Sequence, residues 1–204
     1  MMLTIWGRLN SHNVKKVAWF AEEAGLAYVR HDIGGPFGMD TDYLAKNPNA
    51  MIPTIEDGEV TLWESNAILR YLAARHAPER FWPASPAARA MADRWMDWQI
   101  DYAEAQRDAF INLVRRPEEQ RDLAAIESSV AACASKMAIL DAHLAQSPWL
   151  SGDSFGIGDV PMGVYVHSWF ALPIERPDLP NLADWYDGLQ ARAGYASQVM
   201  IPLT

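Results

Sequence analysis

Residues 52–63 read Ile-Pro-Thr-Ile-Glu-Asp-Gly-Glu-Val-Thr-Leu-Trp, and this stretch decides the fold. The Asp57-Gly58 pair stands between two β-prone runs, which is the strongest short-range signal for a β-hairpin. Because proline has no N–H group to donate to a strand ladder, Pro53 belongs at the beginning of a strand. The Ile52–Pro53 peptide bond can be cis or trans, and the local residues favour neither form. The segment therefore predicts two antiparallel strands joined by a tight turn.

The chain before the hairpin alternates between strand and helix patterns. Leu3–Trp6 and Tyr28–Ile33 are short β-prone runs, and between them apolar residues follow the spacing of one helix face. A parallel pair of strands needs such a helical crossover. A short helix over residues 42–46 and a longer one from Ser65 complete the order β-α-β-α-β-β-α. This order predicts a mixed sheet with helices on its faces.

The pattern changes in the proline-punctuated segment 77–86, beyond which helical periodicity prevails. The helices expected there cover residues 88–109, residues 123–144, a segment from near 156, and residues 183–193. The chain therefore divides into a mixed α/β domain, residues 1–78, and an all-helical domain, residues 86–204.

The composition excludes several classes of function. A formal net charge of −9, from 17 basic and 26 acidic residues, is unfavourable for binding nucleic acid or an anionic membrane surface. No uninterrupted apolar stretch approaches the length of a membrane span. The single cysteine, Cys133, allows no disulfide within the chain and favours a reducing, cytoplasmic location. The five histidines show no metal-ligand spacing, so we expect no metal.

The segment Asn10-Ser11-His12-Asn13 lies between the first strand and the beginning of the first helix. The free N–H groups and the dipole of a helix N-terminus favour an anion at that position. The Ser11 hydroxyl can cap the helix, or it can donate a hydrogen bond to a bound thiolate. Local sequence alone favours capping.

Two further segments suit a peptide ligand. The N–H and C=O groups of Ile52 can pair with an extended peptide in the manner of a strand. Glu64 can bind an ammonium group, and Ser65 can either cap a helix or meet a ligand carboxylate. The structural alternatives are an ordinary trans proline on an edge strand and a plain helix cap beside a solvated acid.

Together these motifs resemble those of the glutathione transferase superfamily. Residues 6–17, WGRLNSHNVKKV, are similar to the active-site strand, loop and helix of serine-type members, and residues 47–58, NPNAMIPTIEDG, to their cis-proline hairpin. Residues 62–73, LWESNAILRYLA, resemble the glutamyl-binding turn and third helix, and residues 152–159, GDSFGIGD, a buried capping segment. Because four motifs in the right order span essentially the whole chain, the chain is identified as a cytosolic, bacterial-like member.

The resemblance implies a fold of the α/β plus all-α class. A thioredoxin-like N-terminal domain binds glutathione, and an all-helical C-terminal domain forms the pocket for a second substrate. The resemblance assigns Ser11 as the catalytic serine, which would hydrogen-bond the glutathione sulfur and favour its thiolate. Asn13 occupies a position that often supports that site.

The remaining assignments concern the glutathione backbone. By resemblance, Ile52 binds the cysteinyl backbone, with Pro53 cis, while Glu64 and Ser65 hold the γ-glutamyl amine and carboxylate. The sequence also departs from the family pattern. Met51 stands where a polar residue often helps to bind the glutathione backbone, and residues 38–39 offer no counterpart of the basic residue that often meets the glycine carboxylate.

The second-substrate pocket is assigned by resemblance to the first long helix of the helical domain. Its candidates are Trp98, Tyr102 and Phe110, and each fits a core or dimer contact equally well. His12 is a further candidate because it lies beside Ser11. The resemblance also implies a homodimer, with Arg70 and Tyr71 on the third helix as interface residues.

The function expected from these residues is conjugation of glutathione to a small apolar electrophile. A glutathione-dependent peroxidase or disulfide reductase uses the same binding site and thiolate, and is the first alternative. A non-catalytic glutathione-binding or protein-docking module is the second. The Ser-Ser-Cys signature of isomerase-type relatives is not present at Asn10-Ser11-His12.

Overall fold

The structure is a computed structural model that describes residues 2–204; Met1, where the predicted first domain begins, lies outside them. The chain forms two compact units. The first consists of the chain up to Arg89 together with Ala193–Ile201, and the second of Ala90–Arg192 with Pro202–Thr204. The chain thus changes unit within a few residues of the predicted boundary, but a C-terminal segment returns to the first unit.

The first unit has the predicted order of strands and helices. Its strands are β1 (Leu3–Trp6), β2 (Tyr28–His31), β3 (Thr54–Asp57) and β4 (Val60–Trp63). Its helices are α1 (His12–Glu23), α2 (Thr41–Lys46), α3 (Ser65–His76), α4 (Pro78–Phe81) and α9 (Ala193–Gln198), with a 3₁₀ turn over Gly35–Phe37. The sequence pattern did not predict α4, a single turn inside the proline-rich segment.

The four strands form one mixed sheet in the order β2-β1-β3-β4. Strands β1 and β2 are parallel, with Leu3 opposite Tyr28, because α1 provides the crossover between them. Strand β3 is antiparallel to β1 and to β4, and the Asp57-Gly58 turn joins the hairpin as predicted. This sheet, with helices packed on it, confirms the thioredoxin-like fold expected of the N-terminal half.

The core of the first unit is built around α1. Val14, Val17 and Ala18 are fully buried, and α1 packs against β1, α3 and α9. The indole of Trp19 meets the Tyr195 ring edge-on at 4.8 Å between centroids. This contact is the physical reason that residues 193–201 belong to the first unit, whereas the sequence pattern placed them in the helical domain.

The second unit is all-helical. It contains most of α5 (Pro86–Phe110), a π-helical turn (Ile111–Arg115), a 3₁₀ turn (Glu118–Gln120), α6 (Leu123–Leu144), α7 (Asp159–Ala171) and α8 (Pro180–Gln190). The helix expected over residues 183–193 corresponds to α8, and α9, which begins at Ala193, was not predicted. The helical C-terminal half confirms the predicted fold class.

By length and composition alone, α6 is long and apolar enough to cross a membrane. This differs from the expectation drawn from the sequence. One such helix is weak evidence, because core helices of folded proteins pass the same test. The buried side chains of α6, which include Cys133, Met137 and Leu140, recur at helical spacing, and α6 packs against α8.

Asp159 organises the entry into α7. Its fully buried carboxylate accepts hydrogen bonds from the amides of Leu150, Ser151 and Gly156 at 2.8–3.2 Å and from the Trp185 indole at 3.1 Å. Burial raises the pKa of this carboxyl group, and the donors oppose that effect. The segment that resembles the family's capping motif is therefore held by one acid.

Candidate functional site

Ser11 lies at the N-terminal end of α1, in the extended conformation of an N-cap residue. Its amide donates to the Arg8 carbonyl at 3.2 Å, and its carbonyl accepts from the Lys15 amide at 2.9 Å. The Ser11 hydroxyl, however, makes no capping bond to α1. Helix capping is therefore not what the side chain does, which leaves the hydroxyl able to donate to a ligand.

Gly7 brings the loop before α1 against the segment that precedes β3. It has φ +148°, and a Cβ there would lie 2.5 Å from Val14 Cγ2 and 3.2 Å from Ile52 Cβ. A side chain at residue 7 would therefore push these segments apart. The loop that carries Ser11 and the backbone of Ile52 are neighbours because residue 7 is glycine.

The Ile52–Pro53 peptide bond is cis. The loop before it is fixed by buried polar groups: Asn47 Nδ2 donates to the Met51 carbonyl at 2.9 Å and to Thr54 Oγ1 at 3.2 Å. The Tyr43 hydroxyl donates to the same carbonyl at 2.5 Å and lies 3.0 Å from Thr54 Oγ1. The Met51 carbonyl before Ile52 and the Thr54 side chain after it are thus held by side chains from α2 and the loop after it.

Glu64 and Ser65 stand at the beginning of α3. Glu64 occupies the N-cap position with φ +72°, a conformation that is strained for a residue with a Cβ, and its side chain is exposed. Ser65 is the first helical residue rather than the expected cap, and its hydroxyl donates to Asn13 Oδ1 at 3.2 Å. This bond joins α1 to the N-terminus of α3.

Behind this bond lies a buried lysine. Lys16 is 2% exposed, and its Nζ lies 3.4 Å from Ser65 Oγ and 3.4 Å from Asn66 Oδ1. Burial lowers the pKa of Lys16 to about 7, and the carboxylate of Glu64 acts in the opposite direction. The local electrostatics therefore combine an exposed acid, a helix N-terminus and a buried amine.

Five of the six residues assigned from the sequence to catalysis and glutathione binding line one cavity of the first unit. The lining residues are Asn13, Asn47, Asn49, Met51, Ile52, Pro53, Trp63, Glu64 and Ser65. The structure therefore brings together Asn13, the Ile52–Pro53 segment and the beginning of α3. Ser11 is not among the described residues that line this cavity. It lies on the adjoining loop, two residues before Asn13.

The chain matches two family models, one described as Glutathione S-transferase, N-terminal domain, over residues 1–74, and one as Glutathione S-transferase, C-terminal domain, over residues 123–188. Glutathione S-transferase GstB of Escherichia coli (strain K12) is 45% identical over 208 residues, with all of both chains covered. The chain belongs to the glutathione S-transferase family.

Other comparisons place the chain within this family. A theta-class glutathione S-transferase of the citrus canker pathogen Xanthomonas axonopodis pv. citri, solved with glutathione bound, is 50% identical. The two chains superpose with a TM-score of 0.95, and 99% of each is covered. A more distant relative, Disulfide-bond oxidoreductase YfcG of Escherichia coli (strain K12), is 29% identical, with 88% of this chain and 86% of the relative covered.

The second-substrate candidates of this glutathione S-transferase family member have unequal exposure. Trp98 is half-buried, stacks on Tyr102 at 6.3 Å and helps to line a cavity between α5 and α6. Tyr102 is fully buried and Phe110 is 7% exposed, so both side chains belong to the core. His12 is the first residue of α1 and is half-buried.

Within residues 2–204, the structure contains no group of three or more His, Cys, Asp or Glu side chains placed to hold a metal ion. The lone cysteine, Cys133, is buried in α6, and burial raises the pKa of its thiol to about 11. A thiol of this kind is almost entirely protonated at neutral pH, so it is a poor nucleophile.

Sequence reasoning missed two buried polar residues at this cavity, Asn47 in its lining and Lys16 behind Ser65. The signal for Asn47 was its place in an Asn-Pro-Asn turn just before Ile52-Pro53. The signal for Lys16 was the pair Lys15-Lys16 inside a helix segment whose other residues, 14–21, are apolar. Two lysines that share the buried part of a helix are uncommon, because a charge needs a partner there.

Proposed function

We propose that the protein is a glutathione transferase that activates the thiol of glutathione and conjugates it to a small apolar electrophile. The observation that carries the proposal is the cavity lined by Asn13, Ile52, Pro53, Glu64 and Ser65. The relative with glutathione bound, at 50% identity over almost the whole chain, supports it. In the proposed complex, Glu64 meets the γ-glutamyl ammonium, Ser65 its carboxylate, and Ile52 pairs with the cysteinyl backbone.

Ser11 and Asn13 are the proposed catalytic residues. A free thiol has a pKa of about 8.5, and its thiolate is the reactive nucleophile. A hundredfold larger ratio of thiolate to thiol requires about 2.7 kcal/mol of preferential stabilisation. A charge-assisted hydrogen bond from the Ser11 hydroxyl contributes about 1.5–3 kcal/mol, and the N-terminus of α1 adds up to about 1 kcal/mol. No buried general base is needed, since these two effects suffice.

The electrophile is proposed to bind beside the activated sulfur, so that proximity accelerates the reaction. Trp98 is the aromatic candidate that we retain for this pocket, because it keeps exposed surface where Tyr102 and Phe110 do not. His12 is retained because it adjoins Ser11 in the chain. Trp98→Ala is expected to raise KM for an aryl halide without changing the affinity for glutathione.

A glutathione-dependent disulfide reductase or peroxidase is the second candidate. The relative named Disulfide-bond oxidoreductase YfcG favours it. Because Cys133 is buried, such an enzyme would use the sulfur of glutathione as its thiol rather than a cysteine of this chain.

Turnover separates these functions. The protein would be assayed with glutathione and an aryl halide, a hydroperoxide or a mixed disulfide, each with the wild type and Ser11→Ala. Conjugation of the aryl halide, lost in Ser11→Ala, supports the transferase. Selective turnover of the disulfide or hydroperoxide favours the second candidate, and binding of glutathione with no turnover favours a docking module.

We also propose a homodimer in the cytoplasm. The single buried cysteine suits a reducing compartment. Arg70 and Tyr71 on α3 are the proposed interface residues, and the Tyr71 hydroxyl donates to Asp57 at 2.9 Å within the first unit. Light scattering at micromolar concentration tests the assembly, and a monomeric mass would rule it out.

A further inference from the structure

The cavity described above has an uneven distribution of charge. Of the described residues that line it, Glu64 carries a charge, and that charge is negative. The positive charge lies one layer deeper, on Lys16, whose Nζ is 3.4 Å from the hydroxyl of the lining residue Ser65. A ligand carboxylate at Ser65 would therefore lie near the carboxylate of Glu64 in the cavity lining and near the amine of Lys16 beneath that lining.

The geometry also fixes the roles of the Ser65 hydroxyl. Its oxygen accepts from Lys16, and its proton is donated to Asn13 Oδ1 at 3.2 Å. To bind a carboxylate, the hydroxyl must turn its proton from Asn13 towards the ligand. The bond from Lys16 can persist through this change, because it uses a lone pair and not the proton.

A carboxylate that leaves water for this cavity needs compensation for its lost hydration. The N-terminus of α3 contributes part of it, but the proximity of Glu64 is unfavourable for a second negative charge. A cation at hydrogen-bond distance from Ser65 supplies the remainder. Lys16 is held in place for this by Asn66 Oδ1, also at 3.4 Å.

We propose that Lys16 is a positioning residue for the α-carboxylate of the γ-glutamyl group, acting through Ser65 and through its buried positive charge. The inference rests on the proposed function, since it concerns how glutathione is held. Lys16 does not touch the ligand in this account; it orients the hydroxyl that does and balances the charge that arrives.

Its neighbour Lys15 provides a matched control. Lys15 is equally buried, at 2% exposure, and stands on the same helix, but its Nζ donates to the Val199 carbonyl at 3.0 Å. Glu64 is the charged group that acts on Lys16, while Asn13, Ser65 and Asn66 are neutral. Because burial lowers the pKa of Lys16 to about 7, measurements at pH 6 keep the amine protonated.

The experiment is a double-mutant cycle in which the lysine side chain is removed from the protein and the α-carboxylate from the ligand, separately and together. Isothermal titration calorimetry at pH 6 would compare S-methylglutathione, which has no ionisable thiol, with the same peptide lacking the γ-glutamyl α-carboxylate. The proteins are the wild type, Lys16→Met, Lys16→Gln and Lys15→Met. Lys16→Gln retains hydrogen-bond donors without the charge, and it replaces Lys16→Met if that variant does not fold.

A unit charge about 6 Å from the carboxylate, in a medium of effective dielectric constant about 20, changes affinity at most roughly a hundredfold. Once the site has relaxed, we expect loss of Lys16 to weaken the binding of S-methylglutathione about tenfold. The same loss should weaken the binding of the shortened peptide less than about twofold. Lys15→Met should leave both affinities within about twofold of the wild type.

An equal loss of affinity for the two ligands would overturn the inference, because a general structural defect does not distinguish them. The proposed function would survive that result. If the wild type does not bind S-methylglutathione at all, the proposed function fails, and the role of Lys16 fails with it.

Discussion

Replacing Asn47 by alanine should loosen the backbone that presents Ile52. The Asn47 side chain is 1% exposed and donates to the Met51 carbonyl and Thr54 Oγ1. Its Oδ1 accepts from the amide of Asn49 at 3.1 Å and from the side chain of Asn49 at 3.2 Å. At about 0.5–1.5 kcal/mol for each of these bonds, the four together correspond to roughly 2–6 kcal/mol. Because the Tyr43 hydroxyl also bonds the Met51 carbonyl, we expect a loss near the lower limit, about 2 kcal/mol.

Two measurements check this prediction. Urea denaturation gives the change in unfolding free energy, and titration calorimetry gives the affinity for S-methylglutathione. We expect Asn47→Ala to weaken binding several-fold, with little change in kcat at saturating glutathione, because Ile52 is proposed to pair with the ligand backbone and not with the reacting atoms. Asn181→Ala, which removes a side-chain hydrogen bond to Asp141 in the second unit, is the control and should bind normally. Wild-type affinity in a destabilised Asn47→Ala would refute the link between this turn and the site.

Two further predictions concern stability. Asp159→Ala removes the acceptor of three amides and an indole, so it should lower the unfolding free energy by about 3–5 kcal/mol or prevent folding. Denaturant unfolding measures this change. A loss below about 1 kcal/mol would contradict the role given to this acid. Lys46 donates to Glu56 at 2.7 Å, and with Trp6 it lowers the pKa of this carboxyl group below its ordinary value of 4.5. A lowered folded-state pKa stabilises the protein above pH 4.5, and this contribution is lost as the pH falls through the folded-state pKa. The loss of unfolding free energy in Glu56→Gln, measured by urea denaturation, should therefore be smaller at about pH 3.5 than at about pH 6. A difference that is the same at both pH values would show that the ion pair contributes nothing.

The sequence predicted those parts of the fold that depend on residues close together in the chain. The Asp57-Gly58 turn fixed the hairpin, and the helix between two β-prone runs fixed the parallel pair β1–β2. The limits of the long helices also followed from periodicity, to within a few residues. Local chemistry determines these features, so one sequence suffices to find them.

Features that depend on distant residues were not predictable in this way. The return of residues 193–201 to the first unit depends on the Trp19–Tyr195 contact, across most of the chain. The bond between Ser65 and Asn13 and the burial of Lys16 depend on how α1 packs against α3. The sequence therefore identified segments that meet at this cavity, but not the side chains that hold them together.

The most direct test of the central claim is an ultraviolet titration of the thiol of glutathione bound to the wild type and to Ser11→Ala. The account predicts a bound thiol that ionises well below the pH at which free glutathione does, with the shift largely abolished in Ser11→Ala. An unshifted thiol in the wild type would contradict the account, because the site would then bind glutathione without activating it.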